Sequence, residues 1–206
     1  LAPRAATGPQ KLPGADTHRR RAFFFCYTQS MVDREQLDAL MLQNDSLDWW
    51  QPERFVRTVK PVLPAELEIL ADPPAPAENY NCFLHMLGLH TNPKIVAETE
   101  GFIYDSFIKH LLATGDLVLT DAPTPGDGIL YQDRVGYPDN FTHGGVWDGA
   151  YVTSKWAWGP LMRHRVFDVP AEYGDDVLFF TAISPESARA LYHTHKTHNI
   201  KPLESA

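Results

Sequence analysis

The apolar pattern in the first third of the chain predicts a strand, a helix and a second strand. Residues 22–27 form a continuous apolar and aromatic run, typical of a buried strand in which Cys26 is an inert core side chain. Apolar residues then recur at helical spacing behind Asp33, which has the chemistry of a helix cap, so a helix is expected at about 34–43. Residues 55–62 carry valines and a threonine and predict a strand closed by prolines.

The middle of the chain is expected to be helical. Residues 65–77 are rich in proline and alanine and are interpreted as a linker. An apolar run at 80–89 follows an asparagine that can cap, which predicts a helix carrying Cys82 in its first turn. Apolar positions across 94–113 predict one or two further helices that end near Gly115.

After Gly115 the pattern changes to short strands and turns. Asp148 and Gly149 form a two-residue turn signal between two apolar segments, which predicts a β-hairpin. Helices followed by hairpin-connected strands are typical of the α+β class, here with an antiparallel sheet. Residues 187–192 have helical spacing. The strands are expected at 128–132, 142–147, 150–156 and 177–183.

These patterns divide the chain into four parts. The divisions are a flexible arm at 1–21, a strand, helix and linker segment at 22–78, a main domain at 79–192, and a loose tail at 193–206. In the tail, His193, His195 and His198 have a spacing that a metal could use, but no cysteine or carboxylate is clustered with them, so a solvated tail is preferred.

Composition restricts the function classes. The chain has 206 residues, 44% hydrophobic, which suits a folded protein, and its net charge of −8 argues against a nucleic-acid partner. No apolar run approaches the length that spans a membrane. Two cysteines in a chain of this length do not form a disulfide framework.

Cys82 is the leading candidate for chemistry. A helix start presents unpaired backbone N–H groups and partial positive charge, which stabilise a thiolate and can hold an oxyanion. The alternative is a buried core cysteine. His143 opens a strand downstream, and an imidazole facing the thiol would accept its proton and lower the thiol pKa. Ser154 and Lys155 lie on the hairpin partner of that strand.

The order of these motifs resembles the bacterial papain-like cysteine hydrolases of the NlpC-type and CHAP groups. The resemblance covers about residues 79–183. Residues 154–161, followed by His164 and by Tyr173-Gly174, are similar to a further branch of that superfamily. The matching pieces are Tyr80-Asn81-Cys82, the Pro-Gly-Asp-Gly-Ile-Leu-Tyr run at 125–131 and the Thr-His-Gly-Gly-Val-Trp run at 142–147.

The resemblance implies a papain-like α+β fold and a residue role for each match. Cys82 matches the nucleophile, His143 the base, and Ser154 the position that orients the base, where the better-known groups have His, Asn or Gln. Lys155 and His164 are competitors for that third role. Asn81, Lys155 and Trp156 are the residues expected to bind substrate. No cofactor and no metal is implied.

The predicted function is therefore a cysteine-dependent hydrolase or transferase acting on an amide bond of a protein or peptide. The Leu1-Ala2-Pro3-Arg4 arm resembles the residues after the self-cleavage point of Rhs-type polymorphic toxins, which implies a delivered bacterial toxin with an immunity or chaperone partner. The alternative is a non-catalytic binding module on a degenerate papain-like scaffold, with the tryptophan-rich segment 147–158 as its surface.

Overall fold

The molecule combines helices with one antiparallel sheet. The computed structural model describes residues 32–43, 49, 51–133 and 140–199. The predicted arm at 1–21 and the predicted strand at 22–27, with Cys26, lie outside these residues.

Six strands and six α-helices occur in the described residues. The strands are β1 (Glu68–Ala71), β2 (Gly128–Gln132), β3 (Phe141–Trp147), β4 (Val152–Lys155), β5 (Leu161–His164) and β6 (Asp176–Phe180). The helices are α1 (Arg34–Gln43), α2 (Pro52–Arg54), α3 (Cys82–Met86), α4 (Pro93–Glu98), α5 (Asp105–Thr114) and α6 (Pro185–Asn199). Short 3-10 helices occur at Pro76–Glu78, Leu89–Thr91 and Ala171–Tyr173.

All six strands belong to one sheet, in the order β1-β5-β4-β3-β2-β6, and every pairing is antiparallel. The predicted α+β class and the antiparallel sheet are therefore confirmed. The β3–β4 hairpin forms where the turn signal predicted it, because the Asp148 carboxylate accepts hydrogen bonds from the backbone N–H groups of Ala150 and Tyr151 at 2.9 and 2.7 Å.

The sheet separates two apolar clusters. One face carries Tyr131 and Val152 and packs against Leu37 of α1 and Phe55 of the following helical segment. The other face carries Leu130 and packs against helices α3, α4, α5 and α6. Strand β2 therefore buries both of its faces, which explains why it is a continuous apolar run rather than an alternating one.

The predicted strand at 55–62 is wrong. Helix α2 continues into a π-helix at Phe55–Val59 and a 3-10 helix at Lys60–Val62. Valine and threonine favour a strand locally, but Phe55 and Val59 are four residues apart and fully buried together, and this packing decides the conformation.

Two segments that the sequence presents as linker and tail are structured. Residues 65–77 include strand β1, which no local pattern predicted. It pairs with β5. The predicted helix at 187–192 is part of the longer α6, which includes residues 193–199 of the expected loose tail. The Ser184 hydroxyl accepts the N–H of Ser187 at 3.1 Å at the start of this helix.

Candidate functional site

Cys82 is the first residue of α3, as the sequence predicted. The helix begins there because the Asn81 side chain accepts a hydrogen bond from Leu84 N at 3.2 Å. The same side chain donates to the carbonyl of Ile103 at 2.8 Å. Asn81 is 3% exposed and its amide is occupied by these contacts, so its predicted contact with substrate has no free polar atom in this structure.

The Cys82 thiol is free and buried against β3. Burial raises its pKa to about 12, although the backbone N–H groups of Gly144, Phe83 and Cys82 itself favour the thiolate and act in the opposite direction. The expected lowering of the thiol pKa is therefore wrong for this structure: the sulfur carries a proton at neutral pH because it is desolvated.

His143 lies on β3 directly before Gly144. Its ring stacks on Tyr173, with centroids 4.0 Å apart and planes inclined by 10°, and lies 5.3 Å from the Tyr131 ring. Burial, with smaller effects of His164 and His85, holds its pKa well below 6.5. Nε2 has no hydrogen-bond partner in the described part of the chain. The imidazole is therefore neutral, and its Nε2 can accept a proton.

Tyr173 packs on His143 and lies close enough to Cys82 for the thiol to affect its pKa. Its ring stacks on His143, and burial followed by the nearby Cys82 thiol raises its pKa well above 10. The phenol oxygen is buried and makes no geometrically acceptable hydrogen bond to a described residue, although the N–H of Ala157 lies near it. The sequence analysis assigned Tyr173 no role, because a short 3-10 turn has no periodic pattern that marks it.

Ser154 hydrogen-bonds to His164 instead of His143. Ser154 Oγ lies 2.7 Å from His164 Nε2, and His164 Nδ1 lies 2.7 Å from the carbonyl of Arg165. A carbonyl only accepts, so Nδ1 carries the proton and the Ser154 hydroxyl donates to Nε2. Burial lowers the pKa of His164 to about 4. Ser154 and its competitor His164 thus form one neutral, fully buried pair beside His143.

Lys155 and Trp156, both predicted to bind substrate, are core side chains here. Lys155 is 1% exposed, donates to the carbonyl of Gly159, and lies with Nζ 5.1 Å from the Tyr80 ring centroid. Burial lowers its pKa to about 7. Trp156 is 0% exposed and stacks near Trp49 at 6.4 Å. Their role in substrate binding stays a prediction.

His85, which the sequence puts one turn into the Cys82 helix and facing either the core or the site, is a second buried group. It lies one turn after Cys82 on α3, and neither ring nitrogen has a hydrogen-bond partner among the described residues. It packs between His90, at 4.9 Å, and Tyr80, at 6.5 Å between ring centroids. Burial, with His90 and Lys155, lowers its pKa to about 4. His85 is therefore a buried, neutral imidazole on α3, one turn after Cys82.

Neither a metal centre nor a membrane span is found in the described part of the chain. No group of three His, Cys, Asp or Glu residues there could hold a metal ion. The helices described are too short or too polar to cross a bilayer. Comparison with protein-family models, with curated proteins and with solved structures found no match for this chain.

Proposed function

We propose that this protein is a cysteine-dependent hydrolase or transferase acting on an amide bond, with Cys82 as nucleophile and His143 as base. The observation that carries the proposal is the position of the Cys82 sulfur. It lies at a helix start among three backbone N–H groups, one of them from Gly144, the residue next to His143. Such donors stabilise both a thiolate and a tetrahedral oxyanion.

The reaction follows from the two neutral groups. The Cys82 sulfur attacks the amide carbonyl while its proton passes to a ring nitrogen of His143, for which the unpartnered Nε2 is suited. The imidazolium then gives this proton to the leaving amine, and a thioester remains on the sulfur. For hydrolysis, water attacks the thioester, His143 takes a water proton, and the proton returns to the sulfur as the acid leaves. For transfer, an amine replaces the water.

Tyr173 takes the place of a hydrogen-bonding third residue in this proposal. Its stacked ring restricts the plane of the His143 imidazole, its hydroxyl has no hydrogen-bond partner among the described residues, and the Cys82 thiol is close enough to raise its pKa. Because Ser154 hydrogen-bonds to His164, Ser154 acts on His143 only by supporting the buried imidazole next to it.

The second candidate, a binding module on a degenerate papain-like scaffold, is favoured by the protonated, buried thiol. The tryptophan-rich segment does not supply its surface, since Trp147 is 2% exposed and Trp156 is 0% exposed. A different surface would have to bind the partner.

Acylation by p-nitrophenyl acetate separates the two candidates. The proposed enzyme releases a burst of one nitrophenol per protein and carries an acetyl group on the peptide that contains Cys82. We expect Cys82→Ala to abolish the burst, His143→Ala to reduce it nearly as far, and the control Cys26→Ser to retain it. A burst that survives in Cys82→Ala at matched folded protein would refute the assignment.

Delivery as a bacterial toxin, with an immunity or chaperone partner, is a proposal that follows from the resemblance of the first four residues. Its test is growth inhibition on expression in a sensitive cell. The wild type and Cys26→Ser should inhibit growth, and Cys82→Ala should not.

A further inference from the structure

An aromatic groove opens next to the Cys82 helix. It is an open groove of about 270 Å³, and the residues that line it include four aromatic side chains and Thr142; the aromatic ones are Phe83, Phe102, Tyr104 and Phe141. Phe83 directly follows Cys82, and Thr142 directly precedes His143. The groove is therefore built on the residues that flank both members of the proposed catalytic pair.

The two outer walls of the groove are unusually exposed. Phe102 is 40% and Tyr104 is 70% exposed, while Ile103 between them is 2% exposed and anchored in the core. The Phe102 and Tyr104 rings meet edge to face with centroids 4.9 Å apart. Adjacent exposed aromatic rings with polar residues at their rim are typical of ligand-binding grooves.

Asn81 holds this loop in place. Its backbone N–H donates to the carbonyl of Gly101 at 2.8 Å, and its side-chain amide donates to the carbonyl of Ile103 at 2.8 Å. Gly101 has φ +73° and packs directly on the carbonyl of Asn79, which leaves no room for a Cβ. The residue before Cys82 thus fixes the position of Phe102 and Tyr104 relative to the helix start, before any ligand binds.

The charged groups at the rim of the groove, Asp105 and Lys109, are already paired with each other. The Asp105 carboxylate pairs with Lys109 Nζ at 2.7 Å, and the same ammonium donates to Asn140 Oδ1 at 2.6 Å. No unpaired charge of this rim faces the groove to select a charged ligand, so its affinity is for apolar surface.

We propose that the aromatic groove is the specificity pocket of the site and takes an aromatic or large aliphatic side chain adjacent to the attacked amide. This inference rests on the proposed function. In this proposal Asn81 is a positioning residue: through its hydrogen bond to Ile103 it holds the neighbouring Phe102 and Tyr104. Asn81 itself does not touch substrate. Substrates with glycine, alanine or a charged residue at that position acylate Cys82 more slowly.

The test compares N-acetylphenylalanine chloromethyl ketone with N-acetylalanine chloromethyl ketone as labels of Cys82. Each rate is divided by the rate of the same reagent with glutathione, which removes intrinsic reactivity. Edge and face contacts of the two rings predict a phenylalanine-to-alanine ratio of about tenfold in the wild type. In Phe102→Ala combined with Tyr104→Ala the ratio should approach one. Val118→Ala, an equally exposed apolar site elsewhere, should keep the wild-type ratio.

Iodoacetamide, which has no side chain for the groove, separates failure of this inference from failure of the proposed function. If iodoacetamide labels Cys82 at alkaline pH but the ratio is near one in the wild type, the groove proposal is overturned and the cysteine chemistry stands. If no reagent labels Cys82, the proposed function fails.

Binding of N-acetylphenylalaninamide to Cys82→Ala, followed by NMR, tests the groove without chemistry. Shifts of Phe102 and Tyr104 signals that N-acetylalaninamide does not produce support the pocket. Equal shifts with both ligands, or none, overturn it.

Discussion

Replacing the buried Lys155 by methionine should stabilise the protein at neutral pH. Burial lowers the pKa of the ammonium from 10.5 to about 7. Between these values the unfolded chain binds a proton that the folded chain does not, so the free energy of unfolding rises with pH. The buried ammonium of Lys155 therefore destabilises the fold most at pH 7 and below. This destabilisation disappears as the pH rises to 10.5.

The magnitude follows from the size of the shift. At about 1.36 kcal/mol per pKa unit, the lysine costs about 4 kcal/mol at pH 7 and about 2 kcal/mol at pH 9. Methionine keeps the packing but loses the hydrogen bond from Nζ to Gly159, which is worth about 1 kcal/mol. Lys155→Met should therefore gain about 3 kcal/mol at pH 7 and about 1 kcal/mol at pH 9.

Urea unfolding of both proteins at several pH values between 7 and 9 measures this difference. The matched control is Lys60→Met, since Lys60 is a surface residue paired with Asp72 at 2.8 Å, and the change should be within about 0.5 kcal/mol at either pH. A Lys155→Met effect that is destabilising, or that does not vary with pH, would show that the ammonium is charged and solvated in the folded protein.

Three other perturbations test separate parts of the site. Gly144→Ala should destabilise the fold by about 1–3 kcal/mol in urea unfolding, because the new Cβ would meet Met86 Sδ at 2.6 Å; an unchanged midpoint would contradict the close approach of α3 to β3. The two imidazoles of His85 and His164, with pKa about 4 in the fold and 6.5 in the unfolded chain, should together remove about 4 kcal/mol of stability as pH falls from 7 to 5. A constant free energy of unfolding over that range would refute their burial as neutral rings. Tyr173→Phe, which keeps the stacked ring but removes the free hydroxyl, should lower the acylation rate by about tenfold and change the free energy of unfolding by less than about 0.5 kcal/mol. Equal rates for the two proteins would exclude the hydroxyl from the reaction.

Local signals were sufficient where a pattern and its termination agreed. Helix α1 and the β3–β4 hairpin follow from helical spacing and from the Asp148-Gly149 turn, and both are found. The start of α3 was also predictable, since Asn81 caps it. Strand β1 was not, because it is a four-residue, largely exposed edge strand inside a proline-rich segment, and only its partner β5 makes it a strand.

The chemistry of the site depended on tertiary contacts that local patterns do not contain. The helix start correctly identified the N–H groups around Cys82, but the thiol pKa is set by the burial that four helices and a sheet produce together. Ser154 was expected beside His143. The β4–β5 register, with Ser154 opposite Met162, brings it diagonally to His164 instead.

Strand β1 has a consequence for how far the proposed catalytic region can be separated from the rest of the chain. Its residues precede position 79, where the sequence alone would start the main domain, yet they cover the outer edge of β5. A fragment that begins at residue 79 keeps the pairing of β5 with β4 but leaves the opposite edge of β5, at residues 161–163, without its β1 partner, and the fully buried Met162 lies on this strand. An unprotected edge of this kind recruits strands from other molecules. The shortest fragment expected to stay monomeric therefore starts before Glu68. A shorter fragment should self-associate even if every residue of the site is present.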